Sequence, residues 1–384
     1  FSIPKVMADI PLFLLLSTSM LFSTIGCDWF YQGVEDFKYI TIRALSIRFI
    51  CLILLFIFVH TKDDLMYYAA YTVLSCVGNN IFNFIRLRKY VNITLVSFKS
   101  LDIKKHLSPI FRIFILNLIV SIYINLDTVM LGFLKDTSAV GYYIGASKLT
   151  KVLLGIVTSL GTVMVPRLSN LIQNGQTKEF NKLSQKAIDY VVAFSFPLFL
   201  GLFVTSPTLI KLFCGPSYTP AVLTLQILSP ILLFIALSNV LGIQMLYPQG
   251  KENIVIRCTM AGALVNFTLN MLLIPILSND GAAIATCAAE FMVTFTMIIV
   301  GRKYLPIDYS IKRYSNYIIG GLLMLVALTA IRRITAMPAI VSMLCSASAG
   351  VTIYFLYLYI RKDDLFINLV VNLLKSKIYA KGKK

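Results

Sequence analysis

The sequence predicts an all-α, polytopic bundle of transmembrane helices. Of its 384 residues, 58% are hydrophobic and only 14% are charged, whereas soluble domains usually carry about 25% charged residues. The mean hydropathy is +0.81, so most of the chain belongs in a lipid bilayer. The apolar runs do not alternate in polarity, which favours helices over the strands of a membrane barrel.

Eleven apolar runs are candidate membrane spans. A helix needs about 20 residues to cross a hydrocarbon core of about 30 Å, and most of the runs meet this length. The third run is the weakest candidate because Asn79, Asn80 and Asn83 crowd its end, and the tenth run is short. The predicted spans cover residues 8–26, 42–60, 65–85, 108–132, 139–165, 187–208, 220–243, 254–277, 281–300, 315–331 and 338–360.

The placement of basic residues predicts the orientation of these spans. The net charge is +18, from 35 Lys and Arg against 17 Asp and Glu. On the side of the 86–107 connection, the loops and the tail carry 25 of these cations, and the loops on the other side carry 6. The positive-inside rule makes the first side cytoplasmic and explains the net charge without a nucleic-acid partner. Phe1 is then outside and Lys384 inside, so a parent protein that starts inside would have an odd number of further spans.

The connections leave no room for a soluble catalytic domain. None exceeds 22 residues, and the chain has no D-x-D run, no G-x-x-x-x-G-K-[ST] phosphate loop and no G-x-S-x-G, so neither a metal-bound nucleotide sugar nor ATP hydrolysis is indicated. The seven cysteines form no C-x-x-C pair and the two histidines lie far apart, so we expect no metal site and no cofactor. The sequence therefore predicts a protein that is not an enzyme.

Three ionisable side chains lie inside two neighbouring spans, where a charge is costly and usually faces a partner or a cavity. Asp127 is about 9 Å deep, Lys148 about 12 Å and Lys151 about 16 Å, at 1.5 Å per helical residue. Asp127 and Lys148 are therefore placed to pair, and Lys148 and Lys151 share one helix face. Two interpretations remain open. One is a salt bridge that only holds two helices together, and the other is a cationic wall on a water-filled cavity, tuned by Asp127.

Three further charges lie within spans. Glu290 stands near the centre of the ninth span among alanines, where it would either exchange protons or hold two helices together by a hydrogen bond. Arg48 and Arg112 lie about one turn inside cytoplasmic span ends. They would either extend to the interface or form an entrance that attracts anions.

Three stretches resemble a known family. INLDTVMLGFLKDTSAVGYYIGASKLTKVLLGIVTSLGTVMVPRLSNLI (124–172) resembles a helix pair of the bacterial polysaccharide biosynthesis flippases, which belong to the multidrug/oligosaccharidyl-lipid/polysaccharide exporter superfamily. DWFYQGVEDFKYITIRAL (28–45) resembles the short cytoplasmic turn before that family's fifth helix. The basic 86–107 connection resembles the link between its two six-helix lobes. The resemblance covers nearly all of the chain.

The resemblance implies a MATE-like two-lobe transporter fold of up to fourteen helices, from which this chain would lack about three N-terminal helices. Those helices supply part of the family's cavity, including basic residues. The implied division is a remainder of the N-terminal lobe, a basic linker, a C-terminal lobe of six helices, two additional helices and a basic cytoplasmic tail, at residues 1–85, 86–107, 108–300, 301–360 and 361–384.

The resemblance and the charges together predict a flippase in the cytoplasmic (inner) membrane of a bacterium. It would carry a polyprenyl-diphosphate-linked oligosaccharide, such as an O-antigen or capsule repeat unit, by alternating access driven by an ion gradient. Membrane lipid, a glycan polymerase and glycosyltransferases would be further partners. The candidate substrate-binding residues are Lys148, Lys151, Arg112 and Arg48, and the candidate ion-coupling residues are Asp127 and Glu290.

Three other functions remain open. A drug/cation antiporter of the same superfamily would favour acids over bases in its cavity, which the lysine pair opposes. An integral-membrane glycan polymerase or transferase would need a sizeable outer loop, and the predicted outer loops are short. A non-transporting scaffold in a glycan assembly complex is the third alternative.

Overall fold

The structure is a computed structural model of the chain. It describes residues 9–23, 25–34, 36–90, 107, 110–111, 114, 124–305, 307–308, 310–334, 338–363 and 365–367. Every regular element in these ranges is helical, which confirms the predicted all-α class. The described chain divides into two compact units, Phe1–Pro109 and Ile110–Lys384.

The helices follow one another with short connections. They are α1 (Ile10–Ser23), α2 (Asp28–Gly33), α3 (Phe37–Phe58), α4 (Leu65–Leu87), α5 (Ile124–Leu134), α6 (Thr137–Gln173), α7 (Thr177–Phe213), α8 (Ala221–Leu228), α9 (Ile231–Asn239), α10 (Glu252–Gly301), α11 (Ile311–Ile334) and α12 (Ala339–Ile360). Between α9 and α10 the chain forms a π-helical turn, Val240–Leu246.

By length and composition, eight helices of the described chain are suited to cross a membrane. They cover Ile10–Tyr31, Phe37–Phe58, Thr137–Thr158, Thr177–Phe213, Ala221–Gln249, Glu252–Gly301, Lys312–Arg332 and Ala339–Ile360. The third predicted span corresponds to α4, which is not among them. The fourth predicted span is described mainly over the short helix α5, because most of its earlier residues lie outside the described ranges.

Helix α10 contains two spans rather than one. Fifty residues of straight helix would measure about 75 Å, more than twice the thickness of a hydrocarbon core. At Ser278 the backbone leaves helical geometry, with φ 53° and ψ −129°. A Cβ added to Gly281 would lie 2.5 Å from the carbonyl oxygen of Leu273, and one added to Gly262 would collide with Val293. Both glycines thus allow close contacts that a larger residue would prevent. The two halves of α10 fold back against each other at the position where the sequence predicts two spans.

The asparagines that weaken the third predicted span have a structural role in the first unit. Arg43 lies inside α3 and is buried. Its guanidinium donates to Asp28 at 2.8 Å and to Asn79 at 3.2 Å, and Asn83 donates to the same Asp28 oxygen at 2.6 Å. The buried cation is thus compensated by groups from α2 and α4.

Among the described residues, the second unit has three hydrophobic clusters, one of which joins α7, α11 and α12, while the other two lie toward opposite ends of the unit's helices. The cluster toward the predicted cytoplasmic end includes the fully buried Leu168, Phe180, Met245 and Leu246. The cluster toward the opposite end includes Leu131, Ala146, Leu225, Leu232 and Ile274. Together they join α5 to α10 into one packed body.

Helices α11 and α12 pack on α7 at positions where prolines interrupt its hydrogen bonding. Proline has no N–H, so Pro197 cannot bond to the carbonyl of Ala193 four residues earlier. That carbonyl instead accepts a 2.6 Å hydrogen bond from the hydroxyl of Tyr354 in α12. Pro207 likewise leaves the carbonyl of Phe203 without its helical donor, and this carbonyl accepts from Gln226 of α8 at 3.3 Å. One residue further, the carbonyl of Val204 accepts from Arg332 in α11 at 2.9 Å. The interruptions in α7 therefore supply acceptors for its neighbours.

A third contact fixes the other end of α11. Both Nε and Nη2 of Arg313 donate to the carboxylate of Asp189 in α7, at 2.7 and 2.5 Å. Gln185 donates to the same carboxylate at 2.8 Å. Two parallel bonds from a planar guanidinium fix orientation as well as distance, so α11 is held on α7 at both ends.

Candidate functional site

Asp127 is the centre of a polar cluster in the second unit. It lies in α5 and is only 6% exposed. One carboxylate oxygen accepts hydrogen bonds from Tyr143 of α6 at 2.7 Å and from Thr286 of α10 at 2.9 Å. The other accepts from Asn266 at 2.9 Å and Asn270 at 2.6 Å, both in the first half of α10. One carboxylate therefore joins α5, α6 and both halves of α10.

The donors around Asp127 are all neutral. Hydrogen bonds to a buried carboxylate offset part of the cost of removing it from water, but no described Lys, Arg or His forms an ion pair with it. In addition, the side-chain oxygen of Asn270 is buried without a hydrogen-bond donor among the described residues. The cluster thus has more acceptor than donor capacity, which is the chemistry that binds a proton or a small cation.

The predicted pair of Asp127 and Lys148 is wrong. Lys148 is exposed, whereas Asp127 is buried and hydrogen-bonded to Tyr143. Tyr143 and Lys148 are five residues apart on α6, which rotates their side chains by about 140° around a helix of 3.6 residues per turn. The depths match, but the two side chains point to different sides of α6.

Lys148 and Lys151 form a separate cationic face of α6. Both are exposed, and neither makes an ion pair or a hydrogen bond within the described chain. Exposed cations in the interior of a membrane span need water or an anionic partner. This face is therefore a candidate anion site.

Glu290 lies in the second half of α10 and is half-buried. It lines a pocket of about 170 Å³ together with Ser238, Asn239 and Thr259. The π-helical turn contributes Gly242 to the wall, and such turns are frequent at functional sites. The pocket combines a carboxylate with neutral polar groups, so it is a second candidate site for a proton or a cation.

The remaining candidate substrate-binding residues are two arginines. Arg48 lies on α3 of the first unit, is exposed, and forms no ion pair with a described residue. Arg112 lies outside the described residues. Within the described ranges, no group of three or more His, Cys, Asp or Glu side chains could hold a metal ion.

Sequence reasoning missed the four partners of Asp127. A usable signal exists for two of them, because Asn266 and Asn270 are four residues apart in an apolar span and so share one helix face. Tyr143 and Thr286 give no such signal, since single Tyr and Thr residues are common in membrane helices. Their role depends on how α6 and α10 pack.

Two family models match the chain. The model for polysaccharide biosynthesis proteins matches residues 1–172, and the MatE model matches residues 113–272. Together they extend from the first residue through the first half of α10.

Named relatives have similar sequences over most of this chain. A putative O-antigen transporter of Escherichia coli is 29% identical over 281 residues, which is 72% of this chain and 66% of that protein. One from Shigella dysenteriae is 25% identical over 287 residues, 74% of this chain and 71% of that protein. A probable low-salt glycan biosynthesis flippase of Haloferax volcanii is 23% identical over 256 residues, 65% of this chain and 53% of that protein. The chain thus spans just under two thirds of the length of the E. coli relative, and the names of these relatives describe transporters or flippases.

One solved structure has a similar fold. The lipid II flippase MurJ, in an inward closed conformation, superposes with a TM-score of 0.74 at 17% identity, over 92% of this chain and 74% of that one. This likeness confirms the predicted MATE-like transporter fold. The chain is a multi-pass membrane protein that is similar, over the matched residues, to polysaccharide biosynthesis proteins and to MatE proteins.

Proposed function

We propose that this protein carries a polyprenyl-diphosphate-linked oligosaccharide from the inner to the outer leaflet of a bacterial cytoplasmic membrane. An O-antigen or capsule repeat unit is the cargo that fits best. The observation that carries the proposal is the pair Lys148 and Lys151, two exposed cations in the interior of a membrane helix with no acidic partner among the described residues. The names of the E. coli and H. volcanii relatives agree with it.

The charge of the cargo explains why a lysine pair would be placed there. A diphosphate is strongly anionic and a glycan is strongly hydrated, so neither crosses hydrocarbon unaided. Ammonium groups offset phosphate charge by charge-assisted hydrogen bonds, which gain strength in a low-dielectric cavity. The polyprenyl tail is apolar and remains in the bilayer while the head group passes.

The Asp127 cluster is the proposed coupling site for an ion gradient. Protonation of the carboxylate, or binding of a small cation beside the Asn270 oxygen that accepts no hydrogen bond from a described residue, would change hydrogen bonds that join α5, α6 and α10. Helix α6 also carries Lys148 and Lys151. A proton or cation bound at Asp127 would therefore shift the helix that forms the anion site. Alternating access by movement of the lobes is the expected mechanism, and Glu290 in its pocket is the second candidate coupler.

The cargo implies enzymes on both sides of the transport step. Glycosyltransferases would assemble the lipid-linked unit before it is carried, and a glycan polymerase would consume it afterwards. Both are proposed as partners in the same pathway.

The proposal is tested by combining Lys148→Ala and Lys151→Ala in the full-length protein. We expect loss of lipid-linked glycan transport in reconstituted vesicles, with an unchanged amount of protein in the membrane. Lys178→Ala, an exposed lysine at the start of α7, is the matched control and should transport normally. Normal transport by the double variant would exclude the lysine pair as the diphosphate site.

A drug/cation antiporter is the second candidate, because Glu290 and its neutral polar neighbours would also suit an organic cation. Vesicles loaded with a fluorescent cationic dye separate the two functions. Gradient-driven dye efflux that depends on Glu290 and not on the lysine pair would favour the antiporter.

A further inference from the structure

An aromatic pair lies beside the outer part of the lysine face. Tyr142 is on α6, and Tyr218 ends a short helical turn, Pro216–Tyr218, between α7 and α8. Their rings meet edge to face, with centroids 5.4 Å apart and planes at 89°. Both residues are only half-buried, so part of each ring is accessible.

Two glycines of α6 allow this arrangement. A Cβ on Gly145 would lie 3.5 Å from Cδ1 of Tyr218 and 3.3 Å from the sulfur of Cys214, and one on Gly141 would lie 3.3 Å from the Tyr218 hydroxyl. The atoms that approach Gly145 belong to one edge of the ring. Tyr218 therefore rests on the helix backbone by that edge, which leaves its faces for Tyr142 and for other contacts.

The backbone before the turn supports the same placement. Gly215 has φ +91°, in the region that glycine adopts more readily than other residues. This conformation reverses the chain after α7 and directs Tyr218 back along α6. The position of the ring is thus set by glycines in two different elements.

The aromatic pair and the lysines follow one another along α6. Lys148 is three residues inward from Gly145, and Lys151 is three residues further. Gly141 and Gly145, against which Tyr218 packs, lie about 20° and 60° around the helix from Lys148 and about 10.5 and 4.5 Å from it along the axis. Tyr142 itself is about 120° from Lys148 and joins this face through its contact with Tyr218. A ligand held by its anionic group at the lysines would therefore reach the rings with the group attached to it.

The chemistry of the rings fits a sugar. A pyranose has an apolar face of C–H bonds and a rim of hydroxyls, whereas tyrosine offers an apolar ring and one hydroxyl. Neither the Tyr142 nor the Tyr218 hydroxyl forms a hydrogen bond with another described residue, so both are available to a ligand. An aromatic cation would stack on the same rings, but the nearby lysines would repel it.

We propose that Tyr218 and Tyr142 form a sugar-binding subsite next to the lysine pair, and that they contact the sugar attached directly to the diphosphate. The inference rests on the proposed function, and it adds the orientation of the bound cargo along α6. The diphosphate lies at Lys148 and Lys151, and the glycan extends toward the outer end of α6.

The test measures binding of two probes to the full-length protein in lipid nanodiscs. One probe is polyprenyl diphosphate without sugar, and the other is the same lipid with a single sugar. We expect the wild type to bind the second probe more tightly. Tyr218→Ala and Tyr142→Ala should each reduce this gain by about three- to tenfold without changing the affinity for the first probe.

Matched variants separate stacking from other effects. Tyr218→Phe keeps the ring and should retain most of the gain, and Tyr142→Ala carries the test where Tyr218→Ala does not fold. Tyr247→Ala, an exposed tyrosine at the opposite end of the same unit, should leave both affinities unchanged.

The two probes also keep the inference distinct from the proposed function. Equal affinity of the wild type for both probes, or an undiminished gain in both alanine variants, would overturn the sugar subsite. Unchanged binding of the sugar-free probe after Lys148→Ala and Lys151→Ala would instead overturn the diphosphate site, and the sugar subsite with it.

Discussion

The side-chain amide of Asn270 donates a 2.6 Å hydrogen bond to the carboxylate of Asp127, across 143 residues of sequence. Because Asn270 lies in α10 and Asp127 in α5, this bond connects two helices that no local pattern relates. The side-chain oxygen of Asn270 lies in the same cluster and has no hydrogen-bond donor among the described residues. The properties of this cluster lead to the first two predictions.

Asp127→Asn should uncouple transport from the gradient. Asparagine has nearly the same shape, but it cannot take up a proton and provides no charge for a cation. We expect the stimulation of glycan transport by an imposed pH or sodium gradient to fall about tenfold or more, since coupling free energies are typically 1–3 kcal/mol. Comparing the two gradients in vesicles identifies the ion. Asp63→Asn, in an exposed turn of the first unit, is the control, and full gradient stimulation in Asp127→Asn would exclude this cluster as the coupler.

Tyr143→Phe should destabilise the second unit by about 1.5–3 kcal/mol, because a buried carboxylate loses one charge-assisted hydrogen bond. Thr286 donates to the same oxygen, so the effects of Tyr143→Phe and Thr286→Val should not add. Thermal unfolding of the two single variants and the double variant measures this coupling. Strict additivity would show that the two donors act independently.

Tyr354→Phe tests the contact between α12 and the interrupted helix α7. The variant removes the donor to the Ala193 carbonyl, which Pro197 cannot satisfy, and we expect a loss of about 1–3 kcal/mol. In a Pro197→Ala background the helix regains its own donor, so Tyr354→Phe should cost less there. An equal cost of Tyr354→Phe in both backgrounds, measured by thermal unfolding, would contradict the role of the proline.

Gly262→Ala should destabilise the hairpin formed by the two halves of α10. The added Cβ would collide with Val293 and lie 3.1 Å from the carbonyl oxygen of Ala289, and overpacking typically costs about 1–3 kcal/mol. Gly155→Ala in α6 meets no atom within 4 Å and should be neutral or slightly stabilising. Val293→Ala should partly rescue Gly262→Ala. A fully stable Gly262→Ala variant would mean that the halves separate more easily than the structure indicates.

Much of the fold follows from local sequence patterns. The apolar runs predict the helices, and even the 50-residue helix α10 divides at Ser278, close to the predicted break. The lysine face was also predictable, because Lys148 and Lys151 lie deep in an apolar run and are three residues apart. The helix starts were less accurate. Arg43 lies buried inside α3, where an ion pair with the half-exposed Asp28 compensates its charge.

The sequence by itself determined which runs of residues form apolar helices and which charges are costly within them, since helical periodicity and hydrophobicity are properties of consecutive residues. Only the tertiary structure decided what those charges contact. Depth along the helix made Asp127 and Lys148 look like a pair, but rotation around α6 separates them and directs Asp127 to Tyr143, Thr286, Asn266 and Asn270. That rotation is fixed by packing among α5, α6 and α10, and packing between distant segments leaves no periodic trace in the chain.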